Sequence, residues 1–543
     1  MRTLCALTGF LAIAGAGAVV LAPPAAATDG TTYYVDSTAG HDGDDGTTEN
    51  TAWKTLEKVG STDFTAGDRI LLKAGSTWTG QLWPKGSGTA AQPITIAAYG
   101  SGPKPAIQGN GTVPDAVKLW NQQYWEIRDL DVSNEAPPTG TPGAKLGDFR
   151  GIRIGGDNGS QLRHFKLDAL DVHDVTGEVN WIGGNSPDKP GIHYKTGWDR
   201  SKNTGGIVFE PSVTDQANPG STATTLHDIT LQNSTIKNTS FAGIVVKQYT
   251  GNADGAVETG WGTRTGVDDP NFAPHTDIRI RNNYITQTGT PYGANGMYLT
   301  GARDVVVENN VVDHVGTSGI ESYYTDQVTI QRNEVFGTSV KAGGQDSNAI
   351  DTDFGTTRQT VQYNYVADNG EGFLIYQQQF GDSVFRYNIA VNSSRNPLHI
   401  DSSSTATGQV YNNVFYDTVG SAVYASTDDK YTLTNNIFYS TNGAATVRKG
   451  ALTFDGNLYY GVTAPSADTH AIVGDPRFVT AAPGTDVTGT PRTTPDLSLG
   501  YRYALKPGSP ALDTGAAITN NGGRDYRGNE LYRQAPDIGA LEQ

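Results

Sequence analysis

The sequence predicts an all-β chain wound as a single-stranded right-handed parallel β-helix. Three observations lead there: a composition of 67 Gly among 543 residues with only 17% charged residues, almost no apolar run at helical period, and a short internal repeat.

The repeat is explicit from residue 227 onward. LQNSTI (231–236), IRNNYI (280–285), VENNVV (307–312), IQRNEV (330–335), VQYNYV (361–366), FRYNIA (385–390), VYNNVF (410–415) and LTNNIF (433–438) align without gaps. Their fourth column holds Ser234, Asn283, Asn310, Asn333, Asn364, Asn388, Asn413 and Asn436, and successive Asn residues are 27, 23, 31, 24, 25 and 23 apart. That spacing is one turn of a solenoid built from three short strands and three bends. An Asn at the same bend of every coil can bond the backbone of the next coil and tolerates a left-handed conformation. The column is therefore expected to be structural.

A second strand recurs between these copies: GIVVK (243–247), GMYLT (296–300), GIESY (319–323), AIDTD (349–353), GFLIY (372–376), PLHID (397–401) and AVYAS (422–426). Its second and fourth positions are mostly apolar, so strand alternation turns the third and fifth outward. The third-position column reads Val245, Tyr298, Glu321, Asp351, Leu374, His399, Tyr424; the fifth reads Lys247, Thr300, Tyr323, Asp353, Tyr376, Asp401, Ser426.

The ends and the charge bound the function. Met1-Arg2, an apolar run from Leu4 to Leu21 and Ala25-Ala26-Ala27 form a secretory signal peptide, with cleavage expected after Ala27. The only cysteine, Cys5, falls within it, which excludes thiol nucleophiles, disulfides and lipidated cysteine from the mature chain. A net charge of −17 without a basic run argues against nucleic acid, and no later stretch has the length of a membrane span. A secreted, extracellular monomer is expected, with the β-helix over 28–475 and a C-terminal segment, 476–543, packing on or capping it.

At this point the chain resembles secreted bacterial parallel β-helix proteins of the pectin-lyase-like superfamily, which contains glycoside hydrolases and polysaccharide lyases. The resemblance rests on the Asn-marked coils, on YYVDSTAGHDGDDGTTENTAWKTLEKV (33–59), on AIDTDFGTTRQTVQYNYVADNGEGFLIY (349–376) and on KPGSPALDTG…APDIGALE (506–542). It implies carbohydrate chemistry in general and carries over no family's catalytic motif, so the site is argued from spacing.

Coils stack about 4.8 Å apart and alternate residues on a strand lie about 7 Å apart, placing Glu321 and Asp351 about 5 Å apart, Asp351 and Asp353 about 7 Å, and Glu321 and Asp353 about 8 Å. Carboxylates this close need a shared proton or a cation between them. One protonated carboxyl beside an ionised one is the arrangement that glycoside hydrolysis uses, and the spacings slightly favour inversion. Asp353 is expected as the base, and Glu321 or Asp351 as the acid. Tyr298, Tyr323 and Tyr376 are expected as a platform for sugar rings, with His399 and Asp401 in a neighbouring subsite. The result would be an acidic, aromatic-lined groove that cuts a polysaccharide and needs no cofactor.

Two other readings fit the same columns. A Ca²⁺-dependent lyase acting on a uronate-containing glycan would use Lys247 as base and Glu321, Asp351 and Asp353 as Ca²⁺ ligands; a non-catalytic glycan-binding solenoid would need the aromatics without the crowded acids. Asp346, Asp368, Asn369 and Glu371 fall at bends and read as turn chemistry. Inserts over 177–205 and 250–275 carry Trp181, Trp198 and Trp261, suited to sugar stacking or to burial. The run Asp42, Asp44, Asp45 reads as a solvated turn rather than a Ca²⁺ loop.

Overall fold

The computed structural model describes residues 30–136, 147–177, 179–181, 192–194, 203–251, 259–290, 294–341, 346–403, 405–416, 422–426, 428–441, 445–448, 450–480, 494–532 and 534–543. The signal-peptide residues and Trp198 lie outside them, and for Trp181 only the backbone strand is described.

Two large sheets of 22 and 14 strands account for most of the described residues, and their strand pairs are parallel with one coil's register passing to the next. Each coil contributes one long or broken strand to the first sheet and one short strand, of two to six residues, to the second. The two predicted strand motifs fuse where the bend is shallow: GMYLT continues into VVVE as one strand, Ala294–Glu308, and GIESY into the next as Ile320–Gln331. The inward residues form one continuous core running from Val35 to Val462. Three rings of successive coils stack within it, Phe415 on Phe438 at 5.2 Å and Phe438 on Tyr459 at 5.4 Å.

The Asn column is buried and bonded along its length. Each backbone N–H donates to the Oδ1 of the next Asn, from Ser234 N–H on Asn283 at 3.0 Å to Asn413 N–H on Asn436 at 3.1 Å, and the ladder runs one coil further to Asn457. Asp468 closes it by accepting from the Asn457 backbone and amide. The left-handed residue is the one before each ladder Asn: Asn282, Asn309, Arg332, Tyr363, Tyr387, Asn412 and Asn435 have φ between 51° and 59°. The ladder Asn thus serves for its amide, not for its tolerance of positive φ.

At the N-terminal end a short helix, Leu56–Gly60, places Leu56 and Val59 on the core, with Thr55 capping it by accepting from Lys58 N–H. Asp42 accepts from the N–H groups of Lys54 and Thr55, and Asp45 from Thr47 N–H and Thr51 Oγ1, so both serve the turns there. The C-terminal residues lie along the outer face of the second sheet: Leu499, Tyr503, Tyr526, Ile538 and Leu541 bury Tyr363, Tyr365, Tyr387, Tyr411 and Tyr416. Asn412 Nδ2 donates to the carbonyls of Asp537 and Gly539 across this contact. Among the described residues no helix is long and apolar enough to cross a membrane.

Candidate active site

The outward columns form with the predicted register. Val245 pairs with Tyr298, Tyr298 with Glu321, Glu321 with Asp351, Asp351 with Leu374, Leu374 with His399 and His399 with Tyr424. Four of the seven outward strands open on a glycine, and at Gly243, Gly296 and Gly319 a Cβ would come within 2.8, 2.4 and 2.5 Å of the carbonyl of the next coil. This close approach leaves room for a further outward column one residue earlier, Asn295, Ser318, Asn348, Glu371 and Asn396, beside the acids. Sequence reasoning passed over it; the signal was the polar residue recurring immediately before Gly or Ala.

That column supplies the partners of the carboxylates. Asn295 Nδ2 donates to Glu321 Oε2 at 2.5 Å and Asn348 Nδ2 to Asp351 Oδ2 at 3.2 Å. Glu321 is 5% exposed and Asp351 1%. Burial first, then the charges of Asp353, Glu321 and Asp346, push the Asp351 carboxyl well above the ordinary carboxylate range against the opposing Asn348 bond. Burial and like charge thus favour the protonated form of the Asp351 carboxyl. Asp353 is partly exposed, and its Oδ1 accepts from Phe354 N–H.

Tyr376 is partly exposed, and its hydroxyl is pushed up first by burial and then by the charges of Asp401, Asp353 and Asp346. Three carboxylates thus converge on one ring. Asp346, read from the sequence as turn chemistry, belongs to this site: it is partly exposed and acts on both Asp351 and Tyr376. Tyr323 is also partly exposed, its ring stacked at 6.0 Å on Phe354.

Two expected residues are displaced by their surroundings. Tyr298 is 0% exposed and packs with Val208, Phe241, Ala242 and Val245, so it cannot offer a face to sugar. Lys247 is 0% exposed, with Nζ donating to Asn203 Oδ1 at 2.8 Å and paired with Glu210 at 3.3 Å. An amine held there cannot serve as a groove base, which removes the residue on which the lyase alternative depended. The open groove pictured from the columns is accordingly interrupted at Val208, Val245 and Tyr298.

Further along, His399 Nδ1 lies 3.1 Å from Glu371 Oε1, and the His399 ring meets Tyr424 edge-on at 4.7 Å. Burial raises the Glu371 carboxyl, but His399, Arg395 and Asn396 together bring it below its ordinary value, so it stays ionised. Glu371 is thus a strand residue of the site rather than a bend residue. Asp368 and Asn369 do serve the bend, Asp368 at φ 55° and Asn369 by accepting from Thr338 N–H. Asp401 accepts from Gln378 Nε2 at 3.0 Å beside Tyr376. Trp261 is buried against Tyr249 and Ala223.

The floor of the site is under-satisfied. Among the described residues, Asn295 Oδ1, Ser318 Oγ, Asn348 Oδ1, Asp351 Oδ1, Thr317 Oγ1 and His399 Nε2 are buried without a hydrogen-bond partner. A single such atom costs about 1–3 kcal/mol, and native folds keep few of them. Their concentration around the carboxylates sets this part of the surface apart from the rest of the described residues.

Residues 223–459 match the family model described as a right handed beta helix region. The fold is a right-handed β-helix. Over 610 aligned positions this β-helix chain is 27% identical to a lacto-N-biosidase of Bifidobacterium longum subsp. longum, an alignment covering 94% of the chain and 36% of the relative. The chain thus spans about a third of that relative's length. Among solved structures it resembles a GH136 lacto-N-biosidase from Eubacterium ramulus, with a TM-score of 0.58, 24% identity, and coverage of 76% of this chain and 68% of that one. The same protein's selenomethionine derivative aligns with a TM-score of 0.57. All three acids, Glu321, Asp351 and Asp353, lie inside the matched β-helix region.

Proposed function

We propose that this β-helix is a secreted glycoside hydrolase acting on a glycan at the Asp346, Asp351, Asp353 and Glu321 cluster. The observation that carries the reading is the buried Asp351 carboxyl, pushed well above its ordinary range among three other carboxyl groups, over a floor of unpaired polar atoms. Hydrolysis of an acetal needs one carboxyl able to give a proton to the leaving oxygen and one ionised carboxylate on the other side of the ring. The partly exposed Asp353 and Asp346 are the groups that meet substrate. Asp351 and Glu321, too deep to touch a sugar, are positioning residues that set the charge of that pair. This division moves the acid role from the buried pair expected on spacing to Asp346, because a group 1% exposed cannot reach a glycosidic oxygen.

Tyr376 and Tyr323 supply the ring surface, and His399, Glu371 and Asp401 an adjoining subsite. The neighbouring lacto-N-biosidases favour a substrate ending in lacto-N-biose. Inversion was expected from the Asp351–Asp353 spacing; the pair that meets substrate is now Asp346 and Asp353, and the anomeric configuration of the first-formed product, followed by proton NMR, reports whether a water or a carboxylate attacks.

The test is release of sugar from an aryl lacto-N-bioside and from a panel of glycans by the full chain, with absorbance of unsaturated uronates followed in parallel. Hydrolytic release that survives EDTA supports the proposal. Unsaturated product that disappears with EDTA and returns with Ca²⁺ overturns it.

A further inference from the structure

Traced toward the N-terminus, the outward column that bears Glu321 and Asp351 changes sign. Val245 pairs with Val208, Val208 with Arg153 and Arg153 with Lys118, and the Leu82–Val117 bridge sets Trp83 beside Lys118. Five coils at about 4.8 Å put Arg153 about 24 Å from Asp351, beyond the buried stretch Val208, Val245 and Tyr298.

Here cations and indole rings alternate. Lys85 Nζ lies 3.0 Å from the Trp83 ring centre, Lys118 Nζ 4.4 Å from Trp83 and 5.0 Å from Trp120, and the Arg153 guanidinium 4.5 Å from Trp120. The indoles hold three cationic heads in one row, and the row is half-buried at each of its members. Two carboxylates neighbour the row, and Oδ2 of one, Asp115, is itself buried without a hydrogen-bond partner. Asp115 is bonded by Arg150 and stands 3.9 Å from Lys118, and Glu210 is shared between Arg153 at 3.4 Å and Lys247 at 3.3 Å. Asp63, Asp148 and Asp157 act only at longer range. Burial lowers Lys118 and Lys85, and each is lowered further by neighbouring cations. Two donors in the row, Arg153 Nε–H and Trp83 Nε1–H, are buried with no acceptor among the described residues. Cations that outnumber their two close carboxylates, beside orphaned N–H groups, call for a further anionic oxygen.

We propose that Trp83, Lys85, Lys118, Trp120 and Arg153 form a second binding site, distinct from the acidic centre, for an anionic group carried on a glycan, a sugar carboxylate or a sulfate ester. A purely structural cation–aromatic ladder would satisfy its own donors; this one leaves Arg153 Nε–H and Trp83 Nε1–H without an acceptor among the described residues. The site extends the function beyond hydrolysis of a neutral terminus: it would hold an acidic glycan or its branch while the acidic centre works elsewhere on the chain.

The test uses lactose, 3′-sialyllactose, lactose 3′-sulfate and inorganic sulfate as probes of the full-length secreted protein, read by tryptophan fluorescence and by calorimetry at low salt. The charged lactosides should bind at least tenfold more tightly than lactose, and the two charged arms show which ester or acid is preferred. Lys118→Gln and Lys85→Gln should each abolish most of that preference without changing the melting temperature or the rate on a neutral substrate. Asp353→Asn should lose hydrolysis and keep anion binding, so a failed hydrolase reading and a failed anion site give different results. Equal binding of lactose and its charged derivatives overturns the proposal, as does a preference unchanged in both lysine variants. Displacement of the charged lactosides by equimolar inorganic sulfate overturns the glycan part of it.

Discussion

Replacing Asn364 with Ala removes a defined set of bonds from the middle of the Asn ladder. The Asn364 amide donates to Ile330 O at 2.9 Å, Gln362 O at 3.0 Å and Asn388 Oδ1 at 2.9 Å, and its Oδ1 accepts from Asn333 N–H and Nδ2, both at 3.0 Å. Asn333 Nδ2 keeps its bond to Val307 O, and Asn388 Oδ1 keeps the Asn364 backbone N–H. What is left stranded in a bend 0% exposed is the Asn333 N–H, while the Ile330 carbonyl keeps its place in the strand ladder. For one buried orphan the loss should be about 1–3 kcal/mol. The measurement is equilibrium guanidinium unfolding followed by far-UV dichroism, with the change in midpoint converted through the slope. Asn364→Asp serves as the isosteric comparison: it retains the Oδ1 acceptor but turns a second acceptor oxygen toward Ile330 O, Gln362 O and Asn388 Oδ1, and should cost at least as much as Ala. A loss under about 0.5 kcal/mol, the level of an ordinary surface substitution, would show that water reaches this bend and would refute the account of the ladder as the fold's internal staple.

The remaining predictions concern the site and the two ends of the molecule. Asp353→Asn and Asp346→Asn should each lower kcat by about 10²–10⁴-fold with binding retained, whereas Asp401→Asn should mainly raise KM; full kcat in Asp353→Asn together with a dead Asp401→Asn would move the centre toward His399. Tyr376→Ala should raise KM and leave the melting temperature, while Tyr298→Ala, in a fully buried position, should cost about 3–5 kcal/mol of stability, the range for large aromatic truncations, and any effect on KM follows from that. Glu542 is pushed up to about 7 by burial and by the charge of Asp537. Its protonated form belongs to the fold, so its contribution is complete below the ordinary glutamate range and is lost as pH rises through about 7. Thermal melts from pH 5 to 8 should therefore fall less steeply for Glu542→Gln than for wild type; parallel profiles would rule out Glu542 as a source of the slope.

How far the site could be read in advance differed from residue to residue. Glu321, Asp351 and Asp353 were legible because outward alternation and coil register follow directly from aligned repeats, and the structure pairs Glu321 with Asp351 as the alignment implied. Tyr298 occupies the same column yet is buried, because Phe241, from a strand about one coil earlier, folds over it with ring centres 5.3 Å apart. Nothing in the column itself marks that cover. Asp346 and Glu371 looked like bend residues because they precede their strands; the structure makes Glu371 the first residue of a strand, in register with Asn348 and Asn396 and bonded to His399. Lys247 was placed in an outward column but meets Glu210 and Asn203, partners no spacing argument could bring to it.

The sequence alone determined the solenoid, its coil length and its outward columns, because a repeat applies the same local rule to every turn and each turn needs only its neighbours to be placed. The tertiary structure alone decided which outward residues stay open, which carboxyl is pushed toward its protonated form, and where the cations of the first coils gather. Those outcomes depend on what covers a side chain and on the charges around it. Burial and Coulomb interactions are summed over residues far apart in the chain, such as Asp115 with Arg150 or Glu210 with Lys247, and no local pattern encodes that sum.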